Sequence, residues 1–98
     1  MIFIYHLRDL HLHEGISLIY FYRLPNILHK INLKKISLLE EKYNKLRTFG
    51  INMEFFEKIN QKFDFNSLPY FMIYNNGELY KSLLDIKDLE EILNEIKN

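Results

Sequence analysis

The sequence predicts an α/β fold in which a mixed sheet of four or five strands is flanked by helices. Three observations support this prediction: the β-branched and aromatic run ISLIYFY before a long segment without glycine or proline, an Asn-Gly pair between two apolar runs, and an apolar stripe at helical spacing near the end of the chain. Strands that alternate with helices and then form a hairpin indicate a sheet covered by helices. The 98 residues, 48% of them hydrophobic, predict one domain over residues 1–98.

The first half of the chain predicts two strands and a long helix. The apolar start MIFIYHL predicts a strand over residues 2–7, and ISLIYFY, which has no polar alternation, predicts a central strand covered on both faces. Pro25 suits the first turn of the following helix, where its missing N–H costs nothing. We expect this helix over residues 26–43. Its apolar stripe is expected to contain Leu28, Ile31, Leu38, Leu39 and Tyr43.

The second half predicts a strand, a short helix, a hairpin and a final helix. Residues 45–53 are expected to form the strand, and residues 54–63 the short helix, because apolar side chains recur there at helical spacing. Asn76 and Gly77 predict a two-residue turn, since both of its positions need a positive φ. Asp85 stands at a capping position before an apolar stripe, and this stripe predicts a terminal helix of about eleven residues.

Charge and hydropathy argue against two classes of protein. Thirteen Lys and Arg residues balance thirteen Asp and Glu residues, so the chain lacks the basic excess typical of nucleic-acid binders. The longest apolar run, Ile16–Tyr22, is far shorter than the roughly 20 residues that a membrane-spanning helix needs. The N-terminus has the pattern of neither a signal peptide nor a basic transit peptide. We therefore expect no nucleic-acid partner and no transmembrane segment.

The composition indicates an AT-rich genome. Ile, Asn, Lys, Phe and Tyr supply 48 of the 98 residues, while Ala, Val, Trp and Cys are absent. Average proteins, by contrast, are rich in Ala, Val and Gly. The favoured residues have AT-rich codons, as expected of an organelle genome, a parasite or a symbiont. The same bias weakens any inference from absent cysteine to a redox compartment.

Several segments of the chain resemble the thioredoxin family. KFDFNSLP and PYFMIYNNGEL are similar to the family's segment around its cis-proline, the strand that follows and the Asn-Gly turn. SLIYFY is similar to the strand that delivers the family's active site, RLPN stands in place of Cys-Gly-Pro-Cys, and DLEEIL resembles the last helix. The resemblance covers residues 16–98, is most specific over residues 63–79, and implies a single thioredoxin-like domain.

The departures from the family concern its chemistry. The two cysteine positions correspond to Arg23 and Asn26, and a carboxylate that the family buries beneath its disulfide corresponds to Tyr20. The segment between the hairpin and the last helix is also shorter and lacks the glycine of the family's substrate groove. Because disulfide reduction requires an attacking thiolate and a resolving thiol, the resemblance implies a redox-inactive member that is not an enzyme.

The resemblance also implies a candidate partner-binding surface. In the family, the loop after the active-site strand and the segment before the cis-proline together grip an extended peptide. The corresponding residues here are Tyr22, Arg23, Leu24, Pro25, Asn26, Ser67, Leu68 and Pro69. The resemblance favours a cis peptide bond before Pro69. Whether this proline serves partner binding or only shapes the core stays open at the level of sequence.

No residue pattern predicts a catalytic, cofactor-binding or metal site. His6, His11 and His13 cluster near the N-terminus, and a His-x-His pair can bind a metal, but no further ligand of known geometry accompanies it. We expect these three histidines, and His29, to be surface or partly packed residues. We also expect no cofactor and no small-molecule substrate.

The function that these observations favour is that of a non-catalytic accessory subunit in a large organellar assembly. The resemblance implies this role, because redox-inactive thioredoxin folds occur among accessory subunits of mitochondrial respiratory complexes, including complex I, and among mitochondrial ribosomal proteins. A balanced charge favours the respiratory complex, since RNA contacts need a cationic excess. The partners would be protein subunits of a membrane-associated mitochondrial complex. The alternatives are a mitochondrial ribosomal protein and a peptide-binding or chaperone-like module that uses the cis-proline groove without thiols.

Overall fold

The computed structural model describes residues 1–55 and 68–97, and the five strands in these ranges form one mixed sheet. In chain order, the strands and helices are β1 (Ile2–Phe3), β2 (Ile16–Tyr22), α1 (His29–Lys42), β3 (Arg47–Asn52), β4 (Tyr70–Asn75), β5 (Glu78–Leu83) and α2 (Leu89–Lys97). The spatial order of the strands is β1-β3-β2-β4-β5. Strands β1 and β2 run parallel to β3, whereas β4 runs antiparallel to β2 and β5. The predicted mixed sheet flanked by helices is confirmed.

Strand β2 lies at the centre of the sheet, and a hydrophobic core forms on each side of it. One core joins alternate residues of β2 to both helices, and its members include Leu18, Tyr20, Tyr22, Ile36, Leu39, Phe71, Leu89 and Leu93. The core on the opposite face includes Ile4, Ile19, Phe21, Phe49, Ile51, Met53 and Met72. Burial on both faces explains why β2 shows no polar alternation. No helix in the described ranges is both long enough and apolar enough to cross a membrane.

Helix α1 begins later than predicted. It starts at His29 because residues 26–28 form a tight turn, in which the backbone N–H of His29 donates to the carbonyl oxygen of Asn26 at 3.1 Å. Pro25 therefore precedes the helix and does not occupy its first turn. The local hydrogen bonds of Asn26 compete with a helical start, as Asn side chains commonly do.

The buried face of α1 also differs from the prediction. Its buried residues, together with the residue that ends the helix, are Asn32, Ile36, Leu39 and Tyr43. Three residues of the expected stripe, Leu28, Ile31 and Leu38, are instead 47%, 51% and 56% exposed. The physical reason is that α1 carries apolar side chains on two sides, and the sheet packs against the side that contains Ile36 and Leu39.

The hairpin and the final helix agree with their predictions. Asn76 and Gly77 have φ angles of 52° and 87°, as a two-residue hairpin turn requires. The Asn76 side-chain oxygen also accepts a hydrogen bond from the backbone N–H of Gly15 at 2.9 Å, which ties this turn to the start of β2. The Asp85 carboxylate accepts from the backbone N–H of Lys87 at 2.9 Å and so caps the 3₁₀ turn Ile86–Asp88 that leads into α2.

Two further predictions concern strand β1 and the segment that follows β3. Strand β1 is limited to Ile2–Phe3, shorter than the expected residues 2–7, because it pairs with only one neighbour and the chain then enters a 3₁₀ turn at Leu7–Asp9. The predicted short helix over residues 54–63 lies, apart from its first two residues, outside the described residues. Those two residues belong to a turn after β3.

Candidate functional site

The candidate site lies at the end of the sheet where β2 finishes and β4 begins. Phe21 pairs with Tyr70 across these antiparallel strands. The residues that follow β2 and those that precede β4 therefore leave the sheet side by side. Of the predicted partner-binding residues, the structure brings Tyr22, Arg23, Leu24, Pro25 and Asn26 to the same end as Leu68 and Pro69. Ser67 lies outside the described residues.

The exposure of these residues differs strongly. Tyr22 is buried, and Asn26, Leu68 and Pro69 are half-buried. Arg23, Leu24 and Pro25 are exposed. The peptide bonds Leu24–Pro25 and Leu68–Pro69 are both cis. The second of these is the bond for which the resemblance favoured the cis form.

The loop over residues 23–28 is organised by Asn26. The Asn26 side-chain oxygen accepts from the backbone N–H of Leu28 at 2.8 Å, and its carbonyl oxygen accepts from the N–H of His29. Ile27 and Leu28 thus occupy the middle of a tight turn. As a result, the Ile27 side chain is held outward and is 93% exposed. The residue at the second cysteine position of the family therefore shapes a turn that presents an apolar side chain.

A buried polar cluster supports this loop from below. The Tyr20 hydroxyl lies 2.9 Å from Nδ1 of His29, and Nδ2 of Asn32 donates to the same hydroxyl at 3.5 Å. Because the hydroxyl accepts from Asn32, it can donate its own proton to a neutral His29. Tyr20 and Asn32 are buried, and His29 is half-buried at the first position of α1. The three side chains form one chain of hydrogen bonds from β2 to α1.

Ring stacking fixes the two ends of the loop against each other. Tyr22, the last residue of β2, stands over the His29 ring with the centroids 4.5 Å apart. Tyr20 stacks on Tyr22 at 5.0 Å and on Phe71 at 5.1 Å. Stacked aromatic pairs add to stability beyond the area that they bury. The loop therefore starts and ends on a rigid aromatic base.

The cluster stays neutral near pH 7. Burial raises the pKa of the Tyr20 hydroxyl above its ordinary value of 10.0; the hydrogen bond from Asn32 opposes this change and the neighbouring Tyr22 adds to it. Burial also lowers the pKa of His29 below its ordinary value of 6.5. Both directions favour the uncharged side chains. The arrangement supports the loop and presents no thiol or other activated nucleophile at its surface.

Exposed apolar side chains also follow three other strands at this end of the sheet. Tyr5 follows β1, Phe55 follows β3 and Leu84 follows β5, and all three strands run toward this end of the sheet. We define the loop-end surface by these residues and the loop itself: Tyr5, Leu24, Ile27, Leu28, Phe55 and Leu84. Their exposed fractions range from 40% to 93%. The opposite end of the sheet presents exposed polar residues, among them Glu14, Lys45 and Asn76, and also an apolar pocket lined by Ile16, Tyr43, Leu46 and Leu93.

The N-terminal histidines are surface residues. His6, His11 and His13 are exposed, and the rings of His11 and His13 lie 6.1 Å apart. Among residues 1–55 and 68–97, no group of three His, Cys, Asp or Glu side chains is arranged to hold a metal ion.

The sequence prediction missed the supporting roles of His29 and Asn32. Asn32 belongs to a run with four-, three- and four-residue steps, Asn32, Ile36, Leu39 and Tyr43, in which it is the polar member. A polar residue inside an otherwise apolar stripe is a signal of a buried hydrogen bond. His29 stands three residues before Asn32 and so falls on the same side of the helix.

Comparison with known proteins identifies the fold. No protein-family model matches the chain, and no curated protein matches its sequence. Among solved structures, a designed protein superposes with a TM-score of 0.88 at 22% identity, covering 99% of this chain and 92% of that one. Mitochondrial thioredoxin 3 from Saccharomyces cerevisiae, in its oxidized form, gives 0.83 at 15% identity, with 97% and 94% covered. The oxidised thioredoxin from Plasmodium falciparum gives 0.83 at 15% identity, with 99% and 98% covered.

These similarities agree with the resemblance of individual segments. The similar structures share the fold with this chain, but their sequence identities are only 13% to 22%. Similarity at this level does not show a shared function. The chain has no cysteine, so it supplies no thiol for disulfide exchange. This protein is therefore a cysteine-free chain with the thioredoxin-like fold.

Proposed function

We propose that this chain is a non-catalytic structural subunit that binds another protein through the loop-end surface. The observation that carries the proposal is the loop over residues 23–28. Where the thioredoxin resemblance implies a dithiol, the loop has Arg23 and Asn26, and it holds Ile27 almost fully in solvent. A loop that has no thiol but presents an apolar side chain on a rigid base is suited to binding.

The apolar character of this surface supports a protein partner. Burying one Ile or Leu side chain is worth roughly 1.5–3 kcal/mol, so Leu24, Ile27 and Leu28 have stabilisation to gain from a partner. Aromatic and apolar side chains are enriched in the cores of protein interfaces. The stacked rings beneath the loop also limit the ordering entropy that binding costs. Together these features favour a stable protein–protein interface over a catalytic site.

The assembly that we propose is a mitochondrial respiratory-chain complex such as complex I, with this chain as an accessory subunit. Two observations support this location: the AT-biased composition, which an organelle genome would produce as well as a parasite or symbiont genome, and a formal net charge of zero, which argues against a ribosomal RNA contact. The thioredoxin fold also occurs in mitochondria, as the yeast thioredoxin 3 structure illustrates.

Site-specific photocrosslinking tests the proposed surface. A photoreactive phenylalanine derivative at position 27 should give one dominant adduct in cells, with a partner that comigrates with the chain under native conditions. The matched control position is Leu79, an exposed apolar residue on edge strand β5, which should give little adduct. Equal labelling from both positions, or no adduct from position 27, would contradict the proposed surface.

A disulfide-reduction assay tests the loss of thiol chemistry separately. The purified chain with dithiothreitol should reduce insulin no faster than dithiothreitol alone. The same assay with an active thioredoxin provides the positive control. A rate clearly above the dithiothreitol background would overturn the non-catalytic part of the proposal.

A further inference from the structure

Helix α1 is apolar on both of its sides. Its inner side packs Ile36 and Leu39 into the core. Its outer side presents Ile31 and Leu38, and Ile27 precedes them in the turn before the helix. Apolar side chains gain stability when they are removed from water. Ile31 and Leu38 on the outer side of α1 therefore favour contact with another molecule, although charged residues lie around them.

The spacing on this outer side is that of a helix–helix contact. Within the helix, positions 31, 34 and 38 follow steps of three and four residues, with Ile31 and Leu38 as the apolar members, and Ile27 extends this row from the turn before the helix. This spacing produces a seam that packs against a second helix. Lys34 stands in the middle of the seam. A single charged residue at a seam position selects a partner that has the opposite charge there, and it fixes the register of the two helices.

The charge of this face is positive. Lys30, Lys34 and Lys35 are exposed, and none of them forms an ion pair with a carboxylate of the described residues. In contrast, Lys42 at the end of α1 pairs with Glu90 of α2. Glu41 is an exposed carboxylate three residues after Leu38 on the same side. Within residues 1–55 and 68–97, the three lysines without an ion pair outnumber this carboxylate around the apolar seam.

A groove beside the seam adds a place for a partner's side chain. It lies between α1 and the start of α2 and has a volume of about 320 Å³. Leu38, Leu39 and Ile86 are its apolar lining residues, and Lys35, Lys87 and Glu90 line it as well. Because Glu90 pairs with Lys42, the groove combines an apolar surface with the two ammonium groups of Lys35 and Lys87.

We infer that the outer face of α1 binds an acidic amphipathic helix of the partner protein. The apolar side chains of that helix would pack on Ile27, Ile31 and Leu38, and a carboxylate would face Lys34. This inference rests on the proposed function and specifies the chemistry of the partner. Ile27 belongs to both surfaces, so the seam continues the loop-end surface along the helix.

A second copy of this chain fits the face poorly. Helix α2 is acidic, but none of its described side chains is a large exposed apolar residue, so it cannot fill the seam. Pairing α1 with the α1 of another copy would bring like-charged lysines together across the contact, which costs free energy. An anionic membrane would attract the lysines. However, the lysine within the apolar seam fits an opposing carboxylate better than an acyl layer.

The test measures binding of a short stapled helical peptide to the full chain by fluorescence anisotropy. One version of the peptide carries leucine at the seam positions and glutamate at the flanking positions, and the other carries lysine at those flanking positions. The glutamate peptide should bind, and Lys34→Glu should weaken it by about tenfold or more. The control Lys81→Glu makes the same charge change on β5 and should alter the affinity by less than about twofold. Circular dichroism should show that both variants are folded.

Several outcomes would overturn the inference. Equal binding of the two peptides, or wild-type affinity in Lys34→Glu, would show that charge at the seam does not select the partner. Binding of the chain to phosphatidylserine vesicles, lost in Lys34→Glu, with no binding of either peptide would assign the face to a membrane. In either case, persistent crosslinking from position 27 would leave the proposed function intact, whereas loss of that crosslink would count against the proposed function itself.

Discussion

Tyr20 is the residue on which the support of the loop depends. Its side chain is fully buried in β2, where it links Asn32 and His29 of α1. A carboxylate at this position would carry charge into a buried site, whereas burial keeps the tyrosine neutral. Tyr20 therefore makes this position a packed and hydrogen-bonded one.

Replacing Tyr20 with phenylalanine should destabilise the protein while retaining its ring packing. The substitution leaves Asn32 and His29 without their shared partner, which costs about 1–3 kcal/mol of the free energy of unfolding. Chemical denaturation measures this difference. Tyr5→Phe is the control, because Tyr5 is 70% exposed and should lose almost nothing. Equal stability of Tyr20→Phe and wild type would show that the hydrogen bonds contribute nothing net.

The charge state of His29 should make stability depend on pH. The pKa of His29 is lowered in the folded chain by burial, so the unfolded chain takes up this proton at a higher pH. The free energy of unfolding should therefore fall as the pH drops below about 6.5 and level off below the folded-state pKa. The groups that stack on His29 are Tyr20 and Tyr22, and both stay neutral in this range because their pKa values are raised.

Denaturation curves for wild type and His29→Gln, between pH 7.5 and pH 5, measure this contribution. The wild-type protein should lose stability more steeply than the variant, which cannot titrate at this position. An NMR titration of the wild-type ring should place its pKa below the ordinary value. Identical pH slopes for the two proteins would contradict the account of His29.

At the scale of elements, the start of α2 depends on a single cap. The Asp85 carboxylate accepts the N–H of Lys87, and loss of such a cap costs about 1 kcal/mol. Asp85→Ala should therefore lower the free energy of unfolding by about that amount, as measured by chemical denaturation. Asp85→Asn keeps the acceptor and should stay close to wild type. If both variants are equally destabilised, the negative charge matters at this position, and the hydrogen bond does not.

The elements that could be predicted from sequence are those with one dominant local cause. Asn76 and Gly77 define a turn by themselves, and β2 is recognisable because both of its faces are buried. The face of α1 could not be predicted, because apolar residues occur on two sides of this helix and its inner side includes Asn32. The predicted start of α1 was wrong because the side chain of Asn26 stabilises a tight turn. The spacing of apolar residues along a helix does not reveal such a turn.

The meeting of the two candidate segments at one end of the sheet could be predicted, but the contacts that support them could not; that these residues bind a partner stays a prediction. The resemblance grouped residues 22–26 with residues 67–69, and strand register brings the described members of both groups to one end of the sheet. His29 and Asn32 were missed as supports because single polar residues carry no periodic signal. Their hydrogen bonds to Tyr20 become apparent only when β2 and α1 are packed together.

At the scale of the whole molecule, the strand ends that present the loop also present Tyr5, Phe55 and Leu84, and the outer face of α1 begins at the same place. Zero net charge conceals an uneven distribution of charge, since the excess of lysine in α1 is balanced by acidic residues of α2. An asymmetric surface of this kind is typical of a protein that docks in one orientation.

The most direct test of the proposed role is the native size of the chain in gently solubilised organelle membranes. Separation on a native gel, followed by mass spectrometry of each band, would locate this chain among the assemblies present. If the chain is a structural subunit, it should comigrate with a large complex, and we expect this to be a respiratory-chain complex. Recovery of the chain only as a small, free species would contradict the structural-subunit role.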